Sequence, residues 1–152
     1  PADLHFHPAV LFQRMQQYAS PSALLEDDAD LLATLTRAYD SDMHAAISAP
    51  RVIDESELVI VALPDAPWAR RVSGVYGNEL ANKSPDTAHA VLTDVAGGYL
   101  VSVRAPLTNR TGADEVCRQF ESGGGRAAAA GINLLPEGDL GRFIDACRAQ
   151  YG

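Results

Sequence analysis

The chain has 152 residues, which suits one domain or one domain with an appended segment. Hydrophobic residues make up 47% of it, so wholesale disorder is excluded and a core can form without disulfides or metals. The 12 basic and 20 acidic side chains give a net charge of −8, which excludes a general electrostatic attraction to duplex DNA or to an anionic membrane. A phosphate ligand would therefore need a local site.

The N-terminal third predicts helices. Residues 8–19 predict a short helix that Pro21 interrupts. The acidic residues at 26–30 are typical of an N-terminal helix turn, where carboxylates accept free backbone N–H groups, so we expect a helix over residues 28–48. A calcium loop is excluded, because the alternating acids, central glycine and closing glutamate of such a loop are missing.

Strands and helices alternate from residue 58 onwards, which predicts an α/β fold. The predicted strands are 58–63, 88–94, 99–105 and 132–135, and the predicted helices are 68–83, 111–120 and 140–151. We expect a mixed sheet of about four to five strands flanked by helices, with an N-terminal helical segment.

The two cysteines, Cys117 and Cys147, form no CxxC pair and have no histidine at metal-ligand spacing. We therefore predict two reduced thiols buried on helices. No signal peptide and no apolar run of about eighteen residues is evident, so the expected location is the cytoplasm and no membrane contact is expected.

Residues 123–131 read Gly-Gly-Gly-Arg-Ala-Ala-Ala-Ala-Gly and form the most informative stretch. Three consecutive glycines predict a loop whose backbone N–H groups are open to an anion, and Arg126 can add a forked pair of donors. A Rossmann fingerprint is excluded because the stretch follows a helix, and a P-loop is excluded because no Gly-Lys-Ser/Thr follows. The alternative that stays open is a flexible turn beside an alanine-rich packing segment.

Three polar residues elsewhere are candidates for the same site. Ser102 and Arg104 point to one face of their strand, because side chains alternate along a strand. Arg104 is either a second phosphate ligand or an edge arginine whose charged end reaches water. Asn78 follows a glycine in the preceding helix and either offers an amide to the ligand or caps local backbone.

Histidines and aromatic residues give weaker signals. His5 and His7 form a His-x-His pair with no evident third metal ligand, so we interpret them as part of a tail or linker. His89 opens a strand and is expected to be exposed. Trp68 is interpreted as a core residue, whereas Tyr76 is better placed to stack on a base.

Residues 55–152 resemble the DHH-associated C-terminal domain, which occurs in DHH-family phosphoesterases such as RecJ exonucleases and nano-RNases, and in alanyl-tRNA synthetases. The family pattern is Gly-Gly-Gly-His-x-x-Ala-Ala-Gly, and it is matched at Gly123, Gly124, Gly125, Ala129, Ala130 and Gly131. Arg126 stands where the family has histidine. Ser102-Val103-Arg104 is similar to the Ser-x-Arg of the family, and the order of helices and strands agrees.

The resemblance implies that residues 55–152 bind substrate for a catalytic half that precedes them and holds manganese or magnesium. Residues 1–54 are then the tail of that half or a linker helix. Because the chain begins with Pro1 and not with Met, we expect a piece of a longer protein. It has no Asp-His-His triplet, so we expect no catalytic residue and no metal ligand in it.

The expected substrate-binding residues are Asn78, Ser102, Arg104, Gly123, Gly124, Gly125 and Arg126. Arginine is always charged, so Arg126 favours phosphate binding over proton transfer. The expected partner is a small phosphate-containing substrate or a short single-stranded nucleic acid, such as a short oligonucleotide or a cyclic dinucleotide. A single-stranded RNA-binding module without catalysis, a degenerate interaction domain and a homodimer are left open.

Overall fold

The computed structural model describes residues 3–152. The helices are α1 (Pro8–Met15), α2 (Pro21–Asp27), α3 (Ala29–Ile47), α4 (Pro67–Lys83), α5 (Ala113–Cys117) and α6 (Leu140–Tyr151), and a 3₁₀ turn (Glu137–Asp139) precedes α6. The strands are β1 (Arg51–Asp54), β2 (Leu58–Leu63), β3 (Ala88–Val95), β4 (Gly98–Arg104), β5 (Gly123–Arg126) and β6 (Ala129–Pro136).

The six strands form one mixed sheet in the order β1-β2-β3-β4-β6-β5. β2 and β3 are parallel and are connected through α4, whereas all other neighbours are antiparallel. This confirms the predicted α/β class with an N-terminal helical segment. The sheet is larger than predicted, because β1 and β5 were not expected as strands.

Side-chain caps start the N-terminal helices. Ser20 Oγ accepts the N–H of Ala23 at 3.1 Å, so Pro21 opens α2 instead of merely ending α1. Asp28 accepts the N–H of Leu31 at 3.2 Å, as the acidic cluster predicted. The same carboxylate binds Arg14 of α1, with Nε at 2.6 Å, which ties α1 to α3.

One face of the sheet is covered along its length. α5 and α6 pack on it, and the aromatic rings of Phe120 and Phe143 meet edge to face with centroids 5.9 Å apart. Cys117 and Cys147 are free and fully buried here, as predicted. Burial raises the pKa of each thiol to about 12, so both stay protonated and chemically inert.

The opposite face is covered only in part. α3 and α4 pack over β2 and β3, with a core that includes Met43, Val61, Val72 and Val91. Beyond β3 this face of β4, β6 and β5 carries small and polar side chains instead of a third helix. We call this uncovered area, formed by residues 102 and 104 of β4, 129, 131 and 133 of β6, and 124 and 126 of β5, the open face.

Residues on either side of position 54 belong to one sheet. β1 pairs with β2, and Ala46 of α3 is fully buried in the core that α4 shares. The predicted division of the chain at residue 54 stays a prediction. None of the helices within residues 3–152 combines the length and the apolar character that crossing a membrane requires.

Candidate functional site

Two arginines lie in one row across the open face. Arg104 of β4 pairs with Ala129 of β6, and Ala129 pairs with Arg126 of β5. Paired residues in antiparallel strands point to the same side, so both guanidinium groups project from the open face with one alanine between them. Their backbones are two strand spacings apart, which is about 10 Å.

Ser102, Gly131 and Gly124 form the next row on the same face. The opposite side of these strands carries Val103, Ala130 and Ile132, which are buried in the core under α5 and α6. Strand periodicity therefore correctly predicted that Ser102 and Arg104 share a face, and the hairpin adds Gly124 and Arg126 to it.

Arg104 is held in place by neutral acceptors. Its Nε donates to Asn78 Oδ1 at 2.7 Å. One Nη donates to Ser102 Oγ at 2.9 Å and to the carbonyl of Val103 at 3.1 Å, and the other Nη donates to the carbonyl of Gly74 at 3.1 Å. The structure thus brings together three of the predicted residues, Asn78, Ser102 and Arg104. Burial lowers the pKa of Arg104 below its ordinary value, and the charge of Arg126 lowers it further.

Arg104 has no carboxylate partner among the described residues. Eight of the 12 basic side chains form ion pairs within residues 3–152, and Arg37, Arg104, Arg110 and Arg126 form none. A partly buried guanidinium without a counter-ion is costly, and Arg126 increases that cost. Such an arrangement favours an external anion, even though the chain as a whole is acidic.

The glycine-rich stretch is a short edge strand and not the open loop that was predicted. Residues 123–126 of β5 pair with residues 129–132 of β6, and residues 127 and 128 form the turn between the two strands. The N–H of Gly123 already donates to the carbonyl of Phe120 at 2.9 Å. Packing leaves no room for side chains on the covered side, where α5 lies against Gly123 and β6 lies against Gly125.

The three glycines of this strand have different surroundings. A Cβ on Gly123 would lie 1.8 Å from the carbonyl oxygen of Cys117, and one on Gly125 would lie 2.5 Å from Cα of Ala130. A Cβ on Gly124 would meet nothing within 4 Å. Packing therefore explains why positions 123 and 125 require glycine. No contact among the described residues requires glycine at position 124, on the open face.

A groove runs between α4 and the sheet beside Arg104. Its volume is about 340 Å³, and its lining includes Asn78, Asn82, Arg104, Arg110 and Ala129. Sequence reasoning missed Asn82 and Arg110. The four-residue spacing of Asn78 and Asn82 on a helix was an available signal for the first, whereas nothing local predicts the position of Arg110.

Three interpretations of single residues were wrong or incomplete. His89 was expected to be exposed but is 2% exposed, because α4 covers its end of β3. Burial lowers the pKa of His89 to about 4, and Nδ1 has no hydrogen-bond partner. Tyr76 is buried in the core and cannot stack on a base, while Trp68 packs against the same core with part of its ring exposed.

His5 and His7 do not form a metal site with each other. Nε2 of His5 lies 3.8 Å from the carboxylate of Asp42, and Nδ1 of His7 accepts the N–H of Ala9 at the start of α1. Within residues 3–152, no group of three or more His, Cys, Asp or Glu residues could hold a metal ion.

The fold is shared with several solved structures. A phosphodiesterase specific for pGpG from Vibrio cholerae aligns over 97% of this chain with a TM-score of 0.60 and 14% identity. RecJ from Thermus thermophilus, solved with Mg²⁺, aligns over 90% with a TM-score of 0.53 and 18% identity. A DHH-domain protein of the s1p family of ribosomal proteins aligns over 80% with a TM-score of 0.54 and 13% identity. The chain has a DHH-family fold.

The DHH-type structures are longer than this chain, which spans 53%, 21% and 32% of their respective lengths. No protein-family model matches the sequence, and no curated protein matches it. The similarity is therefore one of structure.

Proposed function

We propose that this chain is the substrate-binding part of a DHH-type phosphoesterase. It binds the phosphate of a short oligonucleotide, a cyclic dinucleotide or a similar small anionic ester, and another domain hydrolyses the ester with manganese or magnesium. The observation that carries the proposal is Arg104, a partly buried guanidinium fixed by four side-chain or backbone acceptors and left without a carboxylate among the described residues.

Arg104 is already oriented for an anion. Its hydrogen bonds to Asn78 and Ser102 fix the guanidinium plane before a ligand arrives, so binding costs little side-chain entropy. A phosphate oxygen would supply the missing negative charge and accept a charge-assisted hydrogen bond from the one N–H of Arg104 that has no acceptor among the described residues. Arg126, exposed and unpaired among the described residues, is close enough for its charge to act on Arg104, and it adds a second cation.

The glycines of β5 and β6 provide the surface beside these two arginines. Gly124 and Gly131 lie in one row on the open face, so a sugar or base can approach the backbone there without meeting a Cβ. Small ligands fit this arrangement better than a duplex, because the acidic chain offers no extended positive surface. We keep the cytoplasm as the proposed compartment.

The side chains of the site determine which part of the proposed reaction this chain carries out. Arg104 and Arg126 bind and orient charge but do not exchange protons near neutral pH. A divalent metal, when bound by a catalytic domain, would polarise the phosphoryl group and supply an activated water. In this proposal the residues of this chain contribute the clamp on the phosphoryl oxygens, and the catalytic domain contributes the metal ligands.

The proposal is tested by titrating the ¹⁵N-labelled chain with AMP, the dinucleotide ApA and a long poly(A) strand, followed by NMR. We expect AMP and ApA to saturate one site and to shift the amides of Ser102, Gly124 and Arg126. With Mn²⁺ added, ApA should remain uncleaved by this chain alone.

Two results would contradict the proposal. If none of the three ligands shifts the open face, the site does not bind phosphate esters. If only poly(A) binds, the chain is a module for single-stranded RNA, which is the other function that the resemblance allowed.

A further inference from the structure

The two N-terminal helices carry exposed apolar surface that the proposed function does not use. Within residues 3–152, ten large hydrophobic side chains are strongly exposed, and five of them belong to residues 4–25. These five are Leu4, Val10, Phe12, Met15 and Leu25. Neither α1 nor α2 contains a buried residue. We call residues 4–25 the arm, and exposed apolar surface of this kind is typical of a protein interaction site.

The arm is almost free of charge. With histidine neutral, Arg14 is its only charged side chain, although the whole chain has a net charge of −8. Arg14 binds the carboxylate of Asp28 through Nε at 2.6 Å, so its charge is neutralised. Two copies of this acidic chain therefore repel each other least where their arms meet. An anionic membrane is a poor partner, because the one arginine of the arm is already paired.

A projecting ring and a hollow lie side by side on the arm. The Phe12 side chain is 66% exposed, and Met15, three residues later, lies on the same side of α1. Met15 also borders a hollow of about 270 Å³. The rest of the hollow is lined by Tyr18, Ala19, Ser20, Pro21 and Leu24. A phenyl ring fits a hollow of this size, and a methionine sulfur makes favourable contacts with an aromatic ring.

We propose that the arm is the interface between two copies of this chain, with their α1 helices antiparallel. The Phe12 ring of each copy enters the hollow beside Met15 of the other copy, so the same contact forms twice, as two-fold symmetry requires. The five exposed side chains present on the order of 400 Å² per copy, whereas a standard stable interface buries about 800 Å² per partner. The dimer is therefore weak, with a Kd of about 100 µM. None of these residues belongs to the open face, so the dimer forms whether or not that face binds phosphate esters.

The test is sedimentation equilibrium of the wild-type chain, Phe12→Gln and Ile47→Gln from about 10 µM to about 1 mM, a range that brackets weak association. Ile47 ends α3 and is 52% exposed, so Ile47→Gln is a matched control that removes apolar surface outside the arm. We expect the wild type to dimerise, Phe12→Gln to weaken the dimer about tenfold or more, and Ile47→Gln to leave it unchanged. Added salt should strengthen the dimer slightly, because it screens the repulsion between two acidic chains. In a mixture of labelled and unlabelled chain, NMR should detect contacts between the Phe12 ring and the Met15 methyl group of different copies.

Three results would contradict the proposal. If the wild type stays monomeric over the whole range, the arm does not bind a second copy, and its surface belongs to a different protein or domain. If dimers form and Phe12→Gln does not weaken them, another surface holds the two copies together. If Ile47→Gln weakens them as much as Phe12→Gln does, the association is general apolar attraction. Circular dichroism checks that Phe12→Gln is folded, and Met15→Gln should weaken the dimer as a second variant of the same contact. ApA binding, measured on the same proteins, tests the proposed function separately.

Discussion

Arg104 donates its Nε–H to Asn78 Oδ1 at 2.7 Å and thereby connects the last residue of β4 to the middle of α4. Both residues line the groove between α4 and the sheet. The hydrogen bond also fixes a guanidinium that has no carboxylate partner among the described residues. The fold maintains an unneutralised charge at a defined place, which is the physical basis of the binding proposal.

Gly123→Ala and Gly124→Ala should separate packing from binding. The new Cβ of Gly123→Ala would overlap the carbonyl of Cys117, so we expect a loss of about 2 kcal/mol or more in the free energy of unfolding. The Cβ of Gly124→Ala meets open space, so stability should change by less than about 1 kcal/mol while ApA affinity falls several-fold. Urea unfolding and calorimetry measure both quantities. Equal stability losses in the two variants would contradict the assigned orientation of this strand.

Arg126→His should introduce a pH dependence that the natural arginine lacks. Arginine stays charged across the neutral range, so the affinity for ApA, whose phosphodiester charge is constant, should be flat between about pH 5.5 and 8. With histidine the affinity should rise as the pH falls through about 6.5, because the cation then appears. Titrations at several pH values check this. A flat profile in both proteins would show that position 126 does not contact the ligand.

His89 should make the fold sensitive to acid. Its pKa in the folded chain is about 4, below the ordinary 6.5, because of burial and because the charge of Arg51 disfavours a second cation. The unfolded chain therefore takes up the proton first as the pH falls. Stability should decrease from about pH 6.5 to pH 4 by about 3 kcal/mol from this residue, and His89 should have no such effect above pH 6.5.

His89→Gln removes this titration, so its free energy of unfolding should depend less on pH over that interval than the wild-type value does. His44→Gln is the matched control for the substitution itself, because it makes the same change at an exposed position on α3. Urea unfolding at pH 4 to 7 measures the slopes. Identical slopes for His89→Gln and the wild type would contradict the burial of a neutral imidazole beside β4.

The elements predicted well are those with strong local patterns. The apolar run of β2 and the helix α4 were located to within one or two residues, because burial on both faces and helical periodicity leave clear signals. The β3–β4 pair followed from its turn glycines. These elements also carry Ser102 and Arg104, so the part of the open face that lies on β4 was accessible from the sequence.

The elements that were missed depend on tertiary contacts. Gly-Gly-Gly-Arg has low intrinsic strand propensity, and β5 forms through its pairing with β6 and the close contact of Gly123 with α5. β1 is only four residues long and is defined by its pairing with β2. Likewise, the burial of His89 depends on α4, and the position of Arg110 depends on hydrogen bonds from its loop to residues 85, 127 and 128.

The burial of Tyr76 was predictable from the spacing of apolar residues on α4, but the prediction made for it was wrong. Val72, Tyr76 and Leu80 are spaced by four residues on α4 and face the core together. That spacing favours a buried tyrosine over a base-stacking one. The same helix presents Asn78 and Asn82 toward the groove, so its two functions lie on adjacent faces.

The most direct measurement is the unfolding temperature of wild-type chain and Arg104→Gln, each with and without saturating ApA. The variant loses an unpaired, partly buried charge, so the ligand-free proteins should unfold at similar temperatures, or the variant at a slightly higher one. Only the wild type should gain stability from ApA. An Arg104→Gln chain that is strongly destabilised without ligand, or that is stabilised by ApA as much as the wild type, would contradict the account.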